Sequence, residues 1–571
     1  MPLFVRLLAA AVLIASPMHG QPSHPPSSGP SPGSVPAAAP SLAIVNARVW
    51  TGDPHRPWAD ALAAAGERIV AVGSSAEIRK LVAGGTRVID ARGMMVVPGF
   101  IDAHVHFISG GFGLSSVQLR DARTPAEFVS RIKTYAESLP PGAWITEGNW
   151  DHEQWGGELP RRAWIDSVTP QNPVWINRLD GHMALANTAA LRAAGVTRRT
   201  TDVEGGTIVR DAAGEPTGVL KDNAQSLVDR VVPDAPPEVV DRAIDAAMRY
   251  LAGNGVTSVH NMGSWADLAA FERAQHTGRL TTRIYAVVPL ASWEQLRDTV
   301  RARGRGDAWL HIGGVKGFVD GSLGSHTAAM LQPFADAPSD TGLFVNTPAD
   351  LYRWTAAADQ AGLQVMVHAI GDRAIRTQLD IFERVEREDG PRDRRFRIEH
   401  LQHIAPADIP RVALLGVIAS MQPYHAIDDG RWAEKVIGHE RARTTYAFRS
   451  LRDAHVRLAF GSDWFVAPAT PLEGIYAAVT RRTLDGAHAD GWIPEQKITV
   501  EDALRAYTSG AAYAEYAERE KGTLAKGMLA DFVLIDRDLT RVPPETIRDA
   551  QIIMTVVGGR PVYERRMAEP R

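Results

Sequence analysis

A chain of 571 residues, 45% apolar and 22% charged, has ordinary globular composition and enough length for more than one domain. Its formal net charge of -4, with no block of like charge, gives no basis for nucleic-acid binding or for a basic helix lying on a membrane. The absence of cysteine excludes disulfides, zinc fingers, thiolate catalysis and lipid attachment through Cys, so any metal must be held by nitrogen and oxygen.

The chain opens like an export signal. Arg6 precedes the short apolar run 7–15, which is too short for a permanent bilayer span, and Gly20 is a candidate cleavage point. Residues 1–20 are therefore expected to be removed, with the mature protein exported to the periplasm or medium and lacking a membrane span. Residues 21–42, rich in Pro, Ser, Gly and Ala, read as a disordered linker. Short strands follow. Residues 42–51 partly alternate apolar with polar, 61–72 hold a strand pair around Gly66-Glu67-Arg68, and 87–90 form a third element. The far end mirrors this pattern, with strands in 530–536 and 552–557, then Gly558-Gly559 leading into Pro561-Val562-Tyr563. The segments 43–96 and 516–571 read as the two parts of one small β-sandwich.

Between them, residues 97–107 run Val-Pro-Gly-Phe-Ile-Asp-Ala-His-Val-His-Phe. This reads as a buried strand that ends in two histidines. On a strand, positions i and i+2 face the same side, so His104 and His106 can aim into one cavity. The pair alone is equally compatible with two satisfied core histidines. From here the pattern alternates helices and strands. A helix over 238–251 is followed by the strand 256–260, a helix over 351–361 by the strand 363–368, and further strands lie at 397–400, 417–421 and 456–463. Repeated βα units spread over 97–515 predict a parallel sheet closed as a (β/α)8 barrel, whose sites sit at the C-terminal strand ends. Metal-capable side chains recur at those ends: His104 and His106, Lys316 in Gly-Val-Lys-Gly-Phe-Val-Asp, His368 in Val-His-Ala-Ile-Gly-Asp, His400 in Arg-Ile-Glu-His, and Asp463 in Phe-Gly-Ser-Asp. Each has an ordinary explanation singly, such as an ion-paired Lys or an N-capping Asp. One shared site explains all five strand ends at once.

The order HxH, Lys, His, His, Asp resembles the amidohydrolase superfamily. Asp320-Gly321-Ser322-Leu323-Gly324-Ser325 after Lys316, His368-Ala369-Ile370-Gly371-Asp372 and Gly461-Ser462-Asp463-Trp464 resemble the branch of N-substituted formamide deformylases. The likeness spans roughly residues 43–565. It implies a barrel with a β-sandwich and one or two divalent cations. His104, His106 and Asp463 would hold one, and His368 and His400 the other, with zinc favoured by imidazole and carboxylate donors. It further implies that Lys316 is carbamylated and bridges the pair, since an ammonium has no lone pair. The implied chemistry is attack of metal-activated hydroxide on a carbonyl, with Asp463 as proton acceptor and His182 bonding substrate or oxyanion. Gly148-Asn149-Trp150-Asp151, Trp155 and Arg178-Leu179-Asp180-Gly181-His182 resemble pocket segments and suggest an apolar, aryl leaving-group pocket. His326 and Asn261 stand where the family often has Arg and Asp. His425 reads as pocket lining and His403 as structural. The expected activity is hydrolysis of a non-peptide C–N bond in a small amide-like substrate. An esterase or lactonase with the same centre, and a non-catalytic barrel scaffold, are the alternatives. Assembly as a homo-oligomer is compatible with the sequence.

Overall fold

The computed structural model describes residues 39–566, so the expected signal and almost all of the expected linker lie outside the described residues. Eight strands form the central sheet, and we number them β1 (Phe100–Val105), β2 (Val256–Met262), β3 (Arg283–Pro289), β4 (Leu310–Phe318), β5 (Gln364–Ala369), β6 (Arg397–His400), β7 (Ile418–Met421) and β8 (Leu458–Phe460). Every neighbouring pair is parallel. A parallel bridge between Val105 and Trp464 brings the two edges together, which makes this the expected (β/α)8 barrel. Helices of apolar inner face cover it: Pro237–Gly253 buries Ile244, Ala247, Met248 and Leu251 at helical spacing.

Closure depends on Asp102 and Gly461. Asp102 on β1 accepts the backbone N–H and the hydroxyl of Ser462, beyond β8, at 2.8 and 2.5 Å. A Cβ at Gly461 would lie 2.6 Å from the His104 backbone nitrogen, so only glycine lets the two strands approach this closely. The seam thus carries both ends of the candidate site.

The two chain ends build a sandwich. A four-stranded sheet joins Leu42–Val45, Ala61–Ala65, Arg68–Gly73 and Arg87–Asp90. A six-stranded sheet joins the C-terminal strands Phe532–Ile535, Ile552–Val557 and Arg560–Glu564 to Met95–Pro98, Arg48–Trp50 and Trp58–Ala59. Ile44, Leu62, Val96, Phe532 and Val556 meet in the core between them. The buried ion pair Arg283–Asp531, at 2.7 Å, ties the foot of β3 to this sandwich.

Three local expectations change. Leu42 already belongs to a strand, within the stretch read as linker. Residues 42–51 are two strands in different sheets, because Asn46 adopts φ 53 and turns the chain. The run 97–107 likewise crosses from the sandwich to the barrel at Gly99.

The chain also carries an insertion that periodicity did not reveal, a five-stranded sheet of Ile145–Thr146, Val174–Asn177, Met183–Ala186, Gly206–Arg210 and Pro216–Asp222. It has its own core, where Trp150 is fully buried and donates its indole N–H to the Ile176 carbonyl at 2.9 Å. Trp150→Ala is expected to destabilise the protein by about 3–5 kcal/mol, read by urea unfolding. An unchanged midpoint would mean that this core is not part of the cooperative fold.

Candidate metal centre

The C-terminal ends of the barrel strands gather the side chains singled out above. His104 lies on β1, and His106 follows it at the start of the helix Phe107–Gly113. Asp463 lies just past β8. Its Oδ1 is 3.5 Å from His104 Nε2 and 3.3 Å from His106 Nε2. Its backbone N–H donates to the His104 carbonyl at 2.7 Å, so the seam that closes the barrel also sets this spacing. Lys316 on β4 places Nζ 3.3 Å from His104 Nε2. His368 is the last residue but one of β5 and His400 the last of β6, with their rings 4.6 Å apart. The His400 ring is 4.9 Å from that of His104. Asp463 and His400 hold φ of 58 and 73, strained positions that turn both side chains at the site.

Hydrogen bonds select which ring nitrogen faces inward. His104 Nδ1 donates to Glu399 at 2.6 Å, His368 Nε2 to the Gly321 carbonyl at 3.0 Å, and His400 Nδ1 to Gln422 Oε1 at 2.9 Å. Each partner oxygen accepts, so the opposite nitrogen keeps its lone pair. Burial, reinforced by Lys316, drives the pKa of His104 well below its usual value. His368 and His400 are lowered by burial and by neighbouring imidazoles. All three are neutral donors at pH 7. Burial alone would raise the Asp463 pKa, but His106, facing Oδ1 at 3.3 Å, opposes it and the net shift is downward, towards the ionised form. Burial also lowers the Lys316 amine to about 8, against the opposing pull of Glu399 and Asp463.

The donor set fits a divalent cation. Asp463 Oδ1 is buried without a hydrogen-bond partner, and the ligand atoms of His104, His106 and Asp463 lie within 4.8 Å of one another. Neutral imidazoles and an ionised carboxylate are zinc-type ligands, although other divalent ions accept them.

A second trio, His400, His425 and Asp463, meets the same spacing. His425 sits on the helix Pro423–Asp429 after β7, and its Nε2 is buried and unpartnered. Sequence reading placed it only in the lining. The available signal was its position after a barrel strand, in Gln-Pro-Tyr-His.

His182 comes from the insertion. It lines the same pocket, its ring is 4.8 Å from that of His368, and Nδ1 bonds Asp222 at 2.7 Å. Its loop is anchored by Arg178, which pairs with Asp180 at 2.7 Å, and by Ser325, which donates to Asp180 at 3.0 Å. Trp150 and Trp155 do not reach the pocket. They pack in the insertion, Trp155 against Phe128, because that sheet needs its own apolar core. His326 pairs with Asp336 at 3.1 Å, and Asn261 accepts the Phe107 N–H at 2.8 Å, buttressing the helix after His106. His403 bonds Thr445 at 2.8 Å and is structural.

A parallel eight-stranded barrel with imidazoles and carboxylate gathered at its C-terminal rim defines the class of barrel hydrolases built around a metal centre. The chain belongs to the amidohydrolase family, whose model matches residues 87–563. It is 41% identical over 537 residues to LONG AFTER FAR-RED 3 of Arabidopsis thaliana, covering 91% of each chain. It is 30% identical over 542 residues to the N-substituted formamide deformylase of Arthrobacter pascens, covering 92% of this chain and 98% of that one. A crystal structure of an uncharacterized metal-dependent hydrolase from Pyrococcus horikoshii superposes with a TM-score of 0.71 at 29% identity, over 88% of this chain and 99% of the other.

Proposed function

We propose that this chain hydrolyses a non-peptide C–N bond in a small amide-like substrate. The reading is carried by one observation: imidazoles from β1, β6 and the helix after β7 converge around the unpartnered Asp463. The Arthrobacter relative, a formamide deformylase, supports the bond type. His104, His106 and Asp463 would hold one divalent cation, with zinc favoured. His368, His400 and His425 would hold a second, and Lys316, if carbamylated, would bridge the two. A lowered amine pKa leaves more of Lys316 neutral, the form that reacts with carbon dioxide. When bound, such cations supply Lewis acidity for the activation of water and the polarisation of a carbonyl.

The protein's own groups do the rest. Asp463 takes a proton from the attacking water and returns it to the leaving nitrogen, so one water is consumed as the C–N bond breaks. His182, oriented by Asp222, donates to the carbonyl oxygen as charge builds there. His182→Asn is expected to lower kcat about 100-fold with metal content retained. Wild-type kcat would remove His182 from the chemistry.

The decisive test combines metal quantification with native intact mass, which detects the carbon dioxide adduct on Lys316. It is followed by a panel of N-formyl, N-acyl and cyclic amides with matched esters. Stoichiometric metal is expected, with amide turnover abolished by chelation and restored by zinc. Preferential cleavage of the esters would establish the esterase reading, and substoichiometric metal without hydrolysis the scaffold reading. We also propose export with loss of residues 1–20, which N-terminal sequencing of the mature protein checks.

A further inference from the structure

A groove of about 810 Å³ runs along the insertion. Aromatic rings of Phe112, Trp144, Trp175 and Phe465 line it, together with the acidic side chains of Glu147, Asp229 and Asp234. No Lys, Arg or His is among the described residues lining it. The volume is that of a small-molecule site.

Two features distinguish it from a surface crease. Glu147 is half-buried, and among the described residues it has neither an ion pair nor a hydrogen bond through its side chain, so burial pushes its carboxyl up to about 7. Its backbone is held at φ 62, a left-handed conformation uncommon for a residue other than glycine, with Asn149 two residues on at φ 55. Trp175 is nearly buried and its indole N–H is fixed on Asp229 at 2.7 Å, so this ring of the wall is held in place.

The groove also abuts the metal pocket. Gly181, in its wall, lies between Asp180 and His182, which line that pocket. Phe465 stands 5.8 Å, ring to ring, from His106. An unpaired carboxylate among electron-rich rings, free of competing cations, is the chemistry that recognises an organic cation.

We propose that this groove binds the cationic arm of the substrate, an ammonium or guanidinium group on an apolar or aryl body, while the scissile amide sits at the metal centre. The proposal rests on the hydrolase reading, and its test separates the two. Benzyltrimethylammonium is titrated calorimetrically into the holoenzyme, alongside its neutral isostere neopentylbenzene and anionic phenylacetate. The cation is expected to bind at least about tenfold more tightly than either. Glu147→Gln and, independently, Trp144→Leu are expected to erase most of that preference. In turnover, kcat/KM for N-formyl amides bearing a trimethylammonium arm should exceed that for neutral isosteres by a similar factor, and Glu147→Gln should bring the ratio towards one. Equal binding of the three probes, or a preference unmoved by both variants, overturns the proposal. Amide turnover without a cation preference overturns the groove but leaves the hydrolase. Cation binding at Glu147 without amide turnover sinks the hydrolase reading and leaves a cation-binding groove.

Discussion

Asp463→Asn is expected to lower kcat by about 10³-fold or more, within the range for loss of a positioned proton acceptor. The substitution keeps the volume and leaves the backbone bond to His104 intact. It also keeps the conformation, because Asn tolerates the φ of 58 as readily as Asp does. What it removes is the negative charge and the proton-accepting oxygen facing His104 and His106. Circular dichroism and the unfolding midpoint should stay close to wild type while turnover collapses, with metal measured in the same sample. Near-normal kcat in a folded, metal-loaded Asp463→Asn protein would refute the assignment.

Glu399→Ala is expected to cost about 3–5 kcal/mol of stability, because it leaves a buried guanidinium without its counter-charge. Glu399 accepts from Arg397 at 2.8 Å, from Ser420 at 2.6 Å and from His104 at 2.6 Å. Arg397 in turn donates to His260 Nδ1 at 2.8 Å. His260 Nε2 faces Glu515 at 3.2 Å, and Glu515 meets Lys521 at 2.7 Å. A buried ladder of Glu399, Arg397, His260, Glu515 and Lys521 therefore runs from the candidate metal donors through the barrel interior. Glu399→Gln keeps the volume but loses the charge that fixes the His104 tautomer, and metal affinity should fall about 10–100-fold. Urea unfolding of the Ala variant and metal titration of the Gln variant read the two effects separately. A stable Ala variant together with unchanged affinity in the Gln variant would show that the ladder carries neither role.

These two residues differ in how legible they were. Asp463 stood in Phe-Gly-Ser-Asp at a strand end, where barrel logic places chemistry. Glu399 stood one residue before a candidate donor and read as ordinary strand. Its role is visible only once β6 is packed beside the axis, where its side chain meets β1. His425 was passed over for a related reason. It lies on a helix after β7, and nothing local says that its ring turns back toward His400 and Asp463. The insertion was missed because strands such as Met-Ala-Leu-Ala have little β character of their own and are paired by partners far along the chain. Trp150 misled for the same reason, since a large aromatic suits a core as well as a pocket.

From the residues alone came the alternation of helix and strand, the β-rich ends and the sequential donors at strand tips, because side-chain period and turn chemistry are local properties of the chain. Tertiary structure decided which nitrogen of each imidazole faces the centre, that His425 joins it, and that an aromatic groove carrying the unpaired Glu147 lies beside it. Those outcomes depend on contacts between segments from 22 to 295 residues apart, and only closure of the barrel and packing of the insertion bring them together.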